Sequence, residues 1–96
     1  MKTYTICGSM RFSKDMISIA YDLEAHKGFN VLQCVYSDES PSSPAEIERL
    51  TAAHLKKIDM SDGIYVVNID GYIGESVRHE IEYALSNNKE VVYHIK

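Results

Sequence analysis

Four short apolar runs, separated by three longer stretches with helical periodicity, restrict the fold of this 96-residue sequence more than any other feature. The runs at residues 3–7, 29–35, 63–69 and 90–95 are typical of strands, and residues 12–26, 45–60 and 75–87 are typical of helices. Gly28 is placed to end the first helix and Pro44 to begin the second. The predicted order is therefore β-α-β-α-β-α-β, in a chain of single-domain length.

This alternation predicts a parallel sheet. Strands joined by helices run parallel with right-handed crossovers, and strands that are apolar throughout indicate a sheet covered on both faces. We predict one α/β domain over residues 1–96, a small flavodoxin-like three-layer sandwich whose four strands have the order 2-1-3-4. Ligands in such sheets bind outside the carboxyl ends of the strands, where the strand order reverses. Residues 8–11 and 68–72 are expected to meet at that point.

Charge and composition argue against several classes of function. The formal net charge is -4 and the sequence has no run of Lys and Arg, which argues against nucleic-acid binding. No apolar segment approaches the length of a membrane span, and Asp15 and Glu24 interrupt any signal-peptide pattern. Cys7 and Cys34 lack a CxxC spacing, so neither a disulfide nor a zinc framework is expected. These features predict a cytoplasmic protein.

The histidines give no indication of a metal site. His26, His79 and His94 show no ligand spacing with His54, so the sequence predicts no metal. The inward stripe of the second helix contains Ile47, Leu50, His54 and Ile58. A lone histidine on such a face is more often a hydrogen-bonded core residue than a catalytic group, and both interpretations stay open.

Glu80 is the acidic residue whose position is hardest to explain. The apolar stripe of the third helix contains Val77, Ile81, Ala84 and Leu85. Glu80 falls on or beside this stripe, and a carboxylate there costs free energy unless a partner satisfies it. Two interpretations remain open from spacing alone: a partly exposed ion pair with Arg78 or Lys89, or a carboxylate held inward for chemistry.

Two loops offer groups that bind anions. After the first strand, Gly8 permits close backbone approach, Ser9 supplies a hydroxyl and Arg11 supplies a cation suited to phosphate. Gly74 and Ser76 open the third helix, where free N–H groups attract anions. Helix capping by Ser76 explains that serine without any ligand.

The residues of these loops and helices resemble a known superfamily, the nucleoside 2-deoxyribosyltransferase-like proteins. The opening YTICGSMR is similar to the first strand and loop of the 2′-deoxynucleoside 5′-phosphate N-hydrolases in that superfamily. SDGIYVVN, followed by GYIGES and HEIEYALSNNKEVV, resembles their strand, glycine-bearing loop, helix and last strand. The resemblance covers most of the chain, and it depends on the order and spacing of the motifs together.

The resemblance implies that Glu80 is the nucleophile that attacks C1′ of the sugar and displaces the base. It also implies phosphate or sugar contacts at Gly8, Ser9, Arg11 and residues 74–76. One position departs from the family pattern: His54 stands where the hydrolases have an aspartate that orients the sugar or assists the base. A histidine there is able to donate a proton to the leaving base.

The preferred interpretation is an N-glycosidase or deoxyribosyltransferase that needs no cofactor. In it, Asn68 and Tyr72 shape the sugar and base pocket, and His54 is an acid or an orienting group. By resemblance the protein is expected to be a homo-oligomer, a dimer or tetramer, although the residues that longer members add after the fourth strand have no counterpart here. The alternatives are a catalytically silent nucleotide-binding module and a structural domain without a ligand.

Overall fold

The computed structural model describes residues 1–36 and 43–95. Within them, the strands are β1 (Thr3–Gly8), β2 (Asn30–Leu32), β3 (Gly63–Val67) and β4 (Glu90–Tyr93). The helices are α1 (Ser13–Ala25), α2 (Pro44–Asp59) and α3 (Glu75–Ser86), and short 3-10 turns occupy Met10–Phe12 and Ile69–Gly71. The predicted alternation of strands and helices is confirmed. Most of residues 36–44, which separate the second predicted strand from the second predicted helix, lies outside the described residues.

The four strands form one parallel sheet with the order β2-β1-β3-β4, so the predicted topology is confirmed and the fold is flavodoxin-like. One face of the sheet packs against α1, through Ile6, Met16, Ala20, Leu23, Val31 and Val67. The other face packs against α2 and α3, through Cys7, Ile58, Ile64, Val66, Val77 and Ala84. Helices therefore cover both faces, which is why most side chains of the two central strands are buried.

The second strand is shorter than predicted. We expected residues 29–35 to be extended, but β2 pairs with β1 only from Asn30 to Leu32. Pairing with β1 stops at Leu32. The Gln33 carbonyl accepts a hydrogen bond from Lys57 Nζ at 2.8 Å, which ties the chain after β2 to α2. As a result, Cys34 and Val35 lie past the end of the strand and are able to line a site there.

Two apolar stripes are less buried than the sequence predicts. Ile47 and Leu50 in α2 are 52% and 43% exposed, and Leu85 in α3 is 60% exposed. Only the second half of α2 packs on the sheet, through Leu55 and Ile58. The first half of α2 lies near the carboxyl edge, where β2 has already ended. The predicted burial of these three side chains is therefore wrong.

The start of α2 agrees with its sequence. The Ser43 hydroxyl accepts a hydrogen bond from the Glu46 N–H at 3.2 Å, and Pro44 occupies the first turn, where its missing N–H costs nothing. The cap fixes where the helix begins, and the helical period then fixes which residues of α2 face the sheet. Within residues 1–36 and 43–95, no helix has both the length and the apolar character that crossing a bilayer requires.

Buried Tyr4 predicts a loss of stability at high pH. Its hydroxyl donates a hydrogen bond to Glu90, and burial, followed by this contact, raises the pKa of Tyr4 to about 12. Because the pKa is about 10 in the unfolded chain, the folded state is favoured fully below pH 10 and loses this contribution as the pH rises from about 10 to 12. Between about pH 10 and 12, the free energy of unfolding measured with urea should fall less steeply with pH for Tyr4→Phe than for the unmodified protein. Tyr21→Phe, at a side chain that is 70% exposed, should keep the steeper fall; equal slopes for all three proteins would contradict the assignment.

Candidate active site

Glu80 lies at the inner side of α3 and not on the solvated face. Its side chain is 19% exposed, and Oε1 lies 3.2 Å from Nε2 of His54, whose side chain is 14% exposed. Lys89, one of the two ion-pair partners considered from the sequence, instead donates hydrogen bonds to the carbonyls of Asp59 and Ser61. The partner of Glu80 therefore comes from a different helix, and the pair is largely shielded from solvent.

A third polar group joins this pair from the sheet. Cys7, on β1, is 1% exposed, and its Sγ lies 3.5 Å from the same Nε2 atom of His54. The thiol, imidazole and carboxylate atoms all lie within 4.8 Å of one another. The three residues, which we call the Cys7–His54–Glu80 cluster, come from three elements that pack together in one core. Their side chains are consequently held by the fold and not by a loop.

The geometry of the cluster does not match a cysteine-nucleophile triad. In such a triad one imidazole nitrogen faces the thiol and the other faces the carboxylate. Here both Cys7 and Glu80 face Nε2. Burial, with Glu80 nearby, also raises the pKa of the Cys7 thiol well above its usual value, so the thiol is protonated at neutral pH and is a weak nucleophile. Of these residues, Glu80 is the better candidate for attack.

A pocket of about 130 Å³ opens beside the cluster, at the carboxyl end of β1 and β2. Its lining consists of Gly8, Met10, Cys34, Val35, Leu50, Ala53, His54, Lys57 and Glu80. The walls are mainly apolar, and the charged or titratable groups are concentrated in four residues. Such a combination of an apolar wall with a few convergent polar groups is typical of small-molecule sites. The exposed Leu50 and the residues beyond β2, which the sequence did not place at a site, form part of it.

The cation predicted at this site lies outside the pocket lining. Arg11 is exposed, and its guanidinium stacks over the Tyr72 ring at 3.9 Å from the centroid. Tyr72, in turn, packs edge-on against Phe12 at a centroid distance of 6.0 Å. The loops that follow β1 and β3 therefore touch, as expected where the strand order reverses, and the stacking of Arg11 on Tyr72 bridges them. The cation that does line the pocket is Lys57, whose Nζ reaches the Gln33 carbonyl.

Gly8 and Ser9 have clear structural reasons for their identity. A Cβ atom at Gly8 would lie 2.9 Å from Met16 Sδ and 3.2 Å from Val67 Cβ, so the absence of a side chain there permits α1 to pack closely. The Ser9 hydroxyl accepts a hydrogen bond from the Arg11 N–H at 3.4 Å and caps the short turn that follows. Gly8 also lines the pocket, whereas Ser9 is half-buried beside it.

Ser76 and Asn68 make contacts that differ from those predicted from the sequence. Helix α3 begins at Glu75 with Gly74 as its N-cap, and no side chain caps it. Ser76 is exposed inside the first turn, so the capping interpretation is wrong. The Asn68 side chain donates a hydrogen bond to the Ile95 carbonyl at 2.9 Å and accepts one from the Ile95 N–H at 2.8 Å. These two bonds use the side-chain amide of Asn68 to join the end of β3 to the chain after β4.

Sequence reasoning missed Cys7, Cys34 and Lys57 as site residues. Cys7 gave one usable signal, because it immediately precedes the glycine that ends β1 and therefore lies near the carboxyl edge of the sheet. Nothing in the sequence around Lys57 distinguishes it from its neighbour Lys56 as a site residue. Searches against protein-family models, curated proteins and solved structures found no match to this chain.

Proposed function

We propose that this protein cleaves the N-glycosidic bond of a nucleoside, deoxynucleoside or nucleoside 5′-phosphate, with Glu80 as the nucleophile. The observation that supports this proposal is the position of Glu80: a mostly buried carboxylate, bound to His54, on the wall of a pocket at the carboxyl end of β1. Burying an acidic group beside an apolar wall costs free energy and adds nothing to packing that a leucine would not add. Chemistry at the carboxylate explains why the residue is glutamate.

In the proposed reaction a Glu80 carboxylate oxygen attacks C1′ of the sugar. The bond from C1′ to the base nitrogen breaks, the base takes the electron pair and a proton from solvent, and a covalent glycosyl ester forms on Glu80. Water then attacks C1′ and releases the sugar, or a second base does so in a transfer reaction. Two displacements at one carbon divide one difficult step into two easier ones, as in retaining glycosidases.

The distance between His54 and Glu80 favours an orienting role for the histidine. In retaining glycosidases the acid and the nucleophile lie on opposite sides of the scissile bond, with carboxyl groups about 5–5.5 Å apart. Nε2 of His54 lies only 3.2 Å from the Glu80 oxygen. A group so close to the nucleophile lies on the nucleophile's side of the sugar, away from the departing base. We therefore assign His54 to holding the carboxylate and not to protonating the base.

The pocket receives only part of the proposed substrate. Its volume of about 130 Å³ lies well below the roughly 300–1,000 Å³ of sites that enclose drug-sized ligands. We propose that the sugar enters beside Glu80 and Lys57, and that the base extends towards the stacked pair of Arg11 and Tyr72. Ser9, Ser76 and the first-turn N–H groups of α3 are the proposed contacts for a phosphate or sugar hydroxyl. A homo-oligomer remains part of the proposal.

The proposal is tested by incubating the protein with matched sets of deoxynucleosides, ribonucleosides and their 5′-phosphates, followed by chromatography for free base. Base release with at least one member supports a glycosidase, and added acceptor bases distinguish transfer from hydrolysis. Binding in a thermal-shift assay without release would instead indicate the silent nucleotide-binding module. A protein that shows neither binding nor base release would be a structural domain without a ligand. Binding without release, and the absence of both signals, each contradict the proposed reaction.

The orienting role of His54 predicts different results for two substitutions. His54→Gln keeps an N–H group near the position of Nε2, whereas His54→Leu fills similar space without a donor. We expect kcat to fall about 100-fold in His54→Leu, with KM little changed, which is the size of a positioning effect. In His54→Gln we expect kcat to be at least about tenfold higher than in His54→Leu. The measurement is the initial rate of base release over a range of substrate concentrations. Equal activity in the two variants would contradict the orienting role.

A further inference from the structure

We propose that the Cys7–His54–Glu80 cluster is a binding site for a zinc-class divalent metal ion, and that the bound ion silences base release by occupying the Glu80 carboxylate. The binding site itself is argued from geometry alone. The silencing depends on the function proposed above. No spacing in the sequence indicated this site, because its three ligands are separated by 47 and 26 residues and come from three different elements.

Two of the three distances between the ligand atoms match those of a tetrahedral zinc site, and the third, from Cys7 Sγ to a Glu80 oxygen, lies within 4.8 Å and closes to about 3.6 Å when both atoms bind one ion. Zinc binds sulfur at about 2.3 Å and nitrogen or oxygen at about 2.0–2.2 Å, so tetrahedral angles separate a sulfur from a nitrogen by about 3.6 Å and a nitrogen from an oxygen by about 3.4 Å. In the structure Cys7 Sγ lies 3.5 Å from His54 Nε2, and His54 Nε2 lies 3.2 Å from Glu80 Oε1. One nitrogen facing both other ligands is the arrangement that a shared ion requires.

The ligand types select the class of metal. Binding of the ion displaces the proton of the Cys7 thiol to solvent. The resulting thiolate, together with an imidazole, favours zinc and other borderline or soft transition ions, whereas Mg²⁺ and Ca²⁺ prefer oxygen alone. Three protein ligands leave the fourth position of a tetrahedral ion open. His54 and Glu80 line the pocket, while Cys7 lies behind them, so an ion has a path to the cluster and its open position faces the pocket. Ligands carried by β1, α2 and α3 are fixed in place by the core.

Binding to the metal weakens Glu80 as a nucleophile. Coordination of one Glu80 oxygen to a dication draws electron density from the whole carboxylate, so neither oxygen attacks C1′ as readily as in the metal-free protein. The metal-bound protein is therefore much less active in base release, and removal of the ion by a chelator restores activity. Glu80 thus links the two states of the site: one binds the metal, and the other reacts with the sugar.

Titration with Co²⁺, followed by absorbance, tests the binding site directly, since a thiolate on cobalt gives a charge-transfer band and a tetrahedral ion gives strong visible bands. Zn²⁺ is then added to displace the cobalt, which gives its relative affinity. The variants are Cys7→Ala and Glu80→Gln, with Cys34→Ala as the matched control, because Cys34 lines the same pocket but lies outside the cluster. Circular dichroism checks that each variant is folded.

We expect a saturable, one-to-one cobalt spectrum with a thiolate band in the unmodified protein and in Cys34→Ala. Loss of a ligand should weaken Zn²⁺ binding at least about 100-fold in Cys7→Ala and Glu80→Gln, because even residues that only support a ligand change metal affinity by about 10- to 100-fold. A thiolate band that persists in Cys7→Ala, that is lost in Cys34→Ala, or that is missing from the unmodified protein would overturn the site. Should Cys7→Ala be unfolded, Glu80→Gln decides the question.

Base release measured with Zn²⁺ and again with a chelator tests the silencing. Release that falls at least tenfold on saturation with Zn²⁺ and returns on chelation supports it, and release that is unchanged or rises with the ion overturns it. The two proposals fail separately. A cobalt spectrum from a protein that releases no base under any condition keeps the metal site and removes the proposed function, whereas base release without a cobalt spectrum does the reverse.

Discussion

Replacement of Glu80 by glutamine should reduce base release by at least about 10³-fold, which corresponds to about 4 kcal/mol of transition-state stabilisation. Glutamine has the size of glutamate and keeps an oxygen that accepts a hydrogen bond from His54, so the pocket and the 3.2 Å contact should survive. What is lost is the negative charge that attacks C1′. Initial rates and the melting temperature, measured side by side, separate lost chemistry from lost folding.

Two further measurements make the Glu80 prediction specific. Rapid acid quenching followed by peptide mass spectrometry should find the mass of one sugar residue on the peptide that contains Glu80, and on no peptide of Glu80→Gln. Glu82→Gln is the matched control, because Glu82 lies two residues along the same helix on its exposed side. Full activity in Glu80→Gln, or a covalent sugar on another residue, would exclude Glu80 as the nucleophile.

Gly63→Ala should produce the largest loss of stability among the alanine substitutions of glycine. Gly63 pairs with Glu90 where β3 and β4 begin, and a Cβ atom there would lie 2.5 Å from the Glu90 carbonyl oxygen and 2.8 Å from its Cβ. A backbone atom of a paired strand cannot move aside as a flexible side chain does. The strands must separate locally, and we expect a loss of about 3 kcal/mol, at the upper end for overpacking. Small domains have total unfolding free energies of only about 5–15 kcal/mol.

Gly28→Ala provides the control for the Gly63 prediction. Gly28 has a φ of +74°, but no atom lies within 4 Å of an added Cβ. Its substitution therefore measures the cost of a left-handed backbone alone, about 1–2 kcal/mol. Urea unfolding of both variants should show the larger loss at Gly63, and an equal or smaller loss there would mean that β4 moves freely. Because β4 follows α3, such movement would also affect how firmly α3, and with it Glu80, is held.

The fold was largely predictable because it depends on repeated local patterns. Parallel pairing follows from helices that connect successive strands, and the three helices and four strands appear in the predicted order. The errors occur at edges. β2 ends at Leu32, before its apolar run ends, and Ile47, Leu50 and Leu85 are exposed although the helical period places them on apolar stripes. A period specifies a face of a helix, but it does not specify how far the neighbouring sheet extends.

For the candidate site, local patterns were enough to put Glu80 near the apolar stripe of α3 and to start α3 at the carboxyl edge of the sheet. The partners of Glu80 follow from tertiary packing alone, because Cys7, His54 and Glu80 are far apart in the chain and meet only when β1, α2 and α3 pack together. The same packing put Lys57 on the pocket wall and left Arg11 stacked on Tyr72 outside it. Helical and strand periods act over a few residues, whereas the convergence of three side chains on one point depends on the relative placement of whole elements, which no local pattern contains.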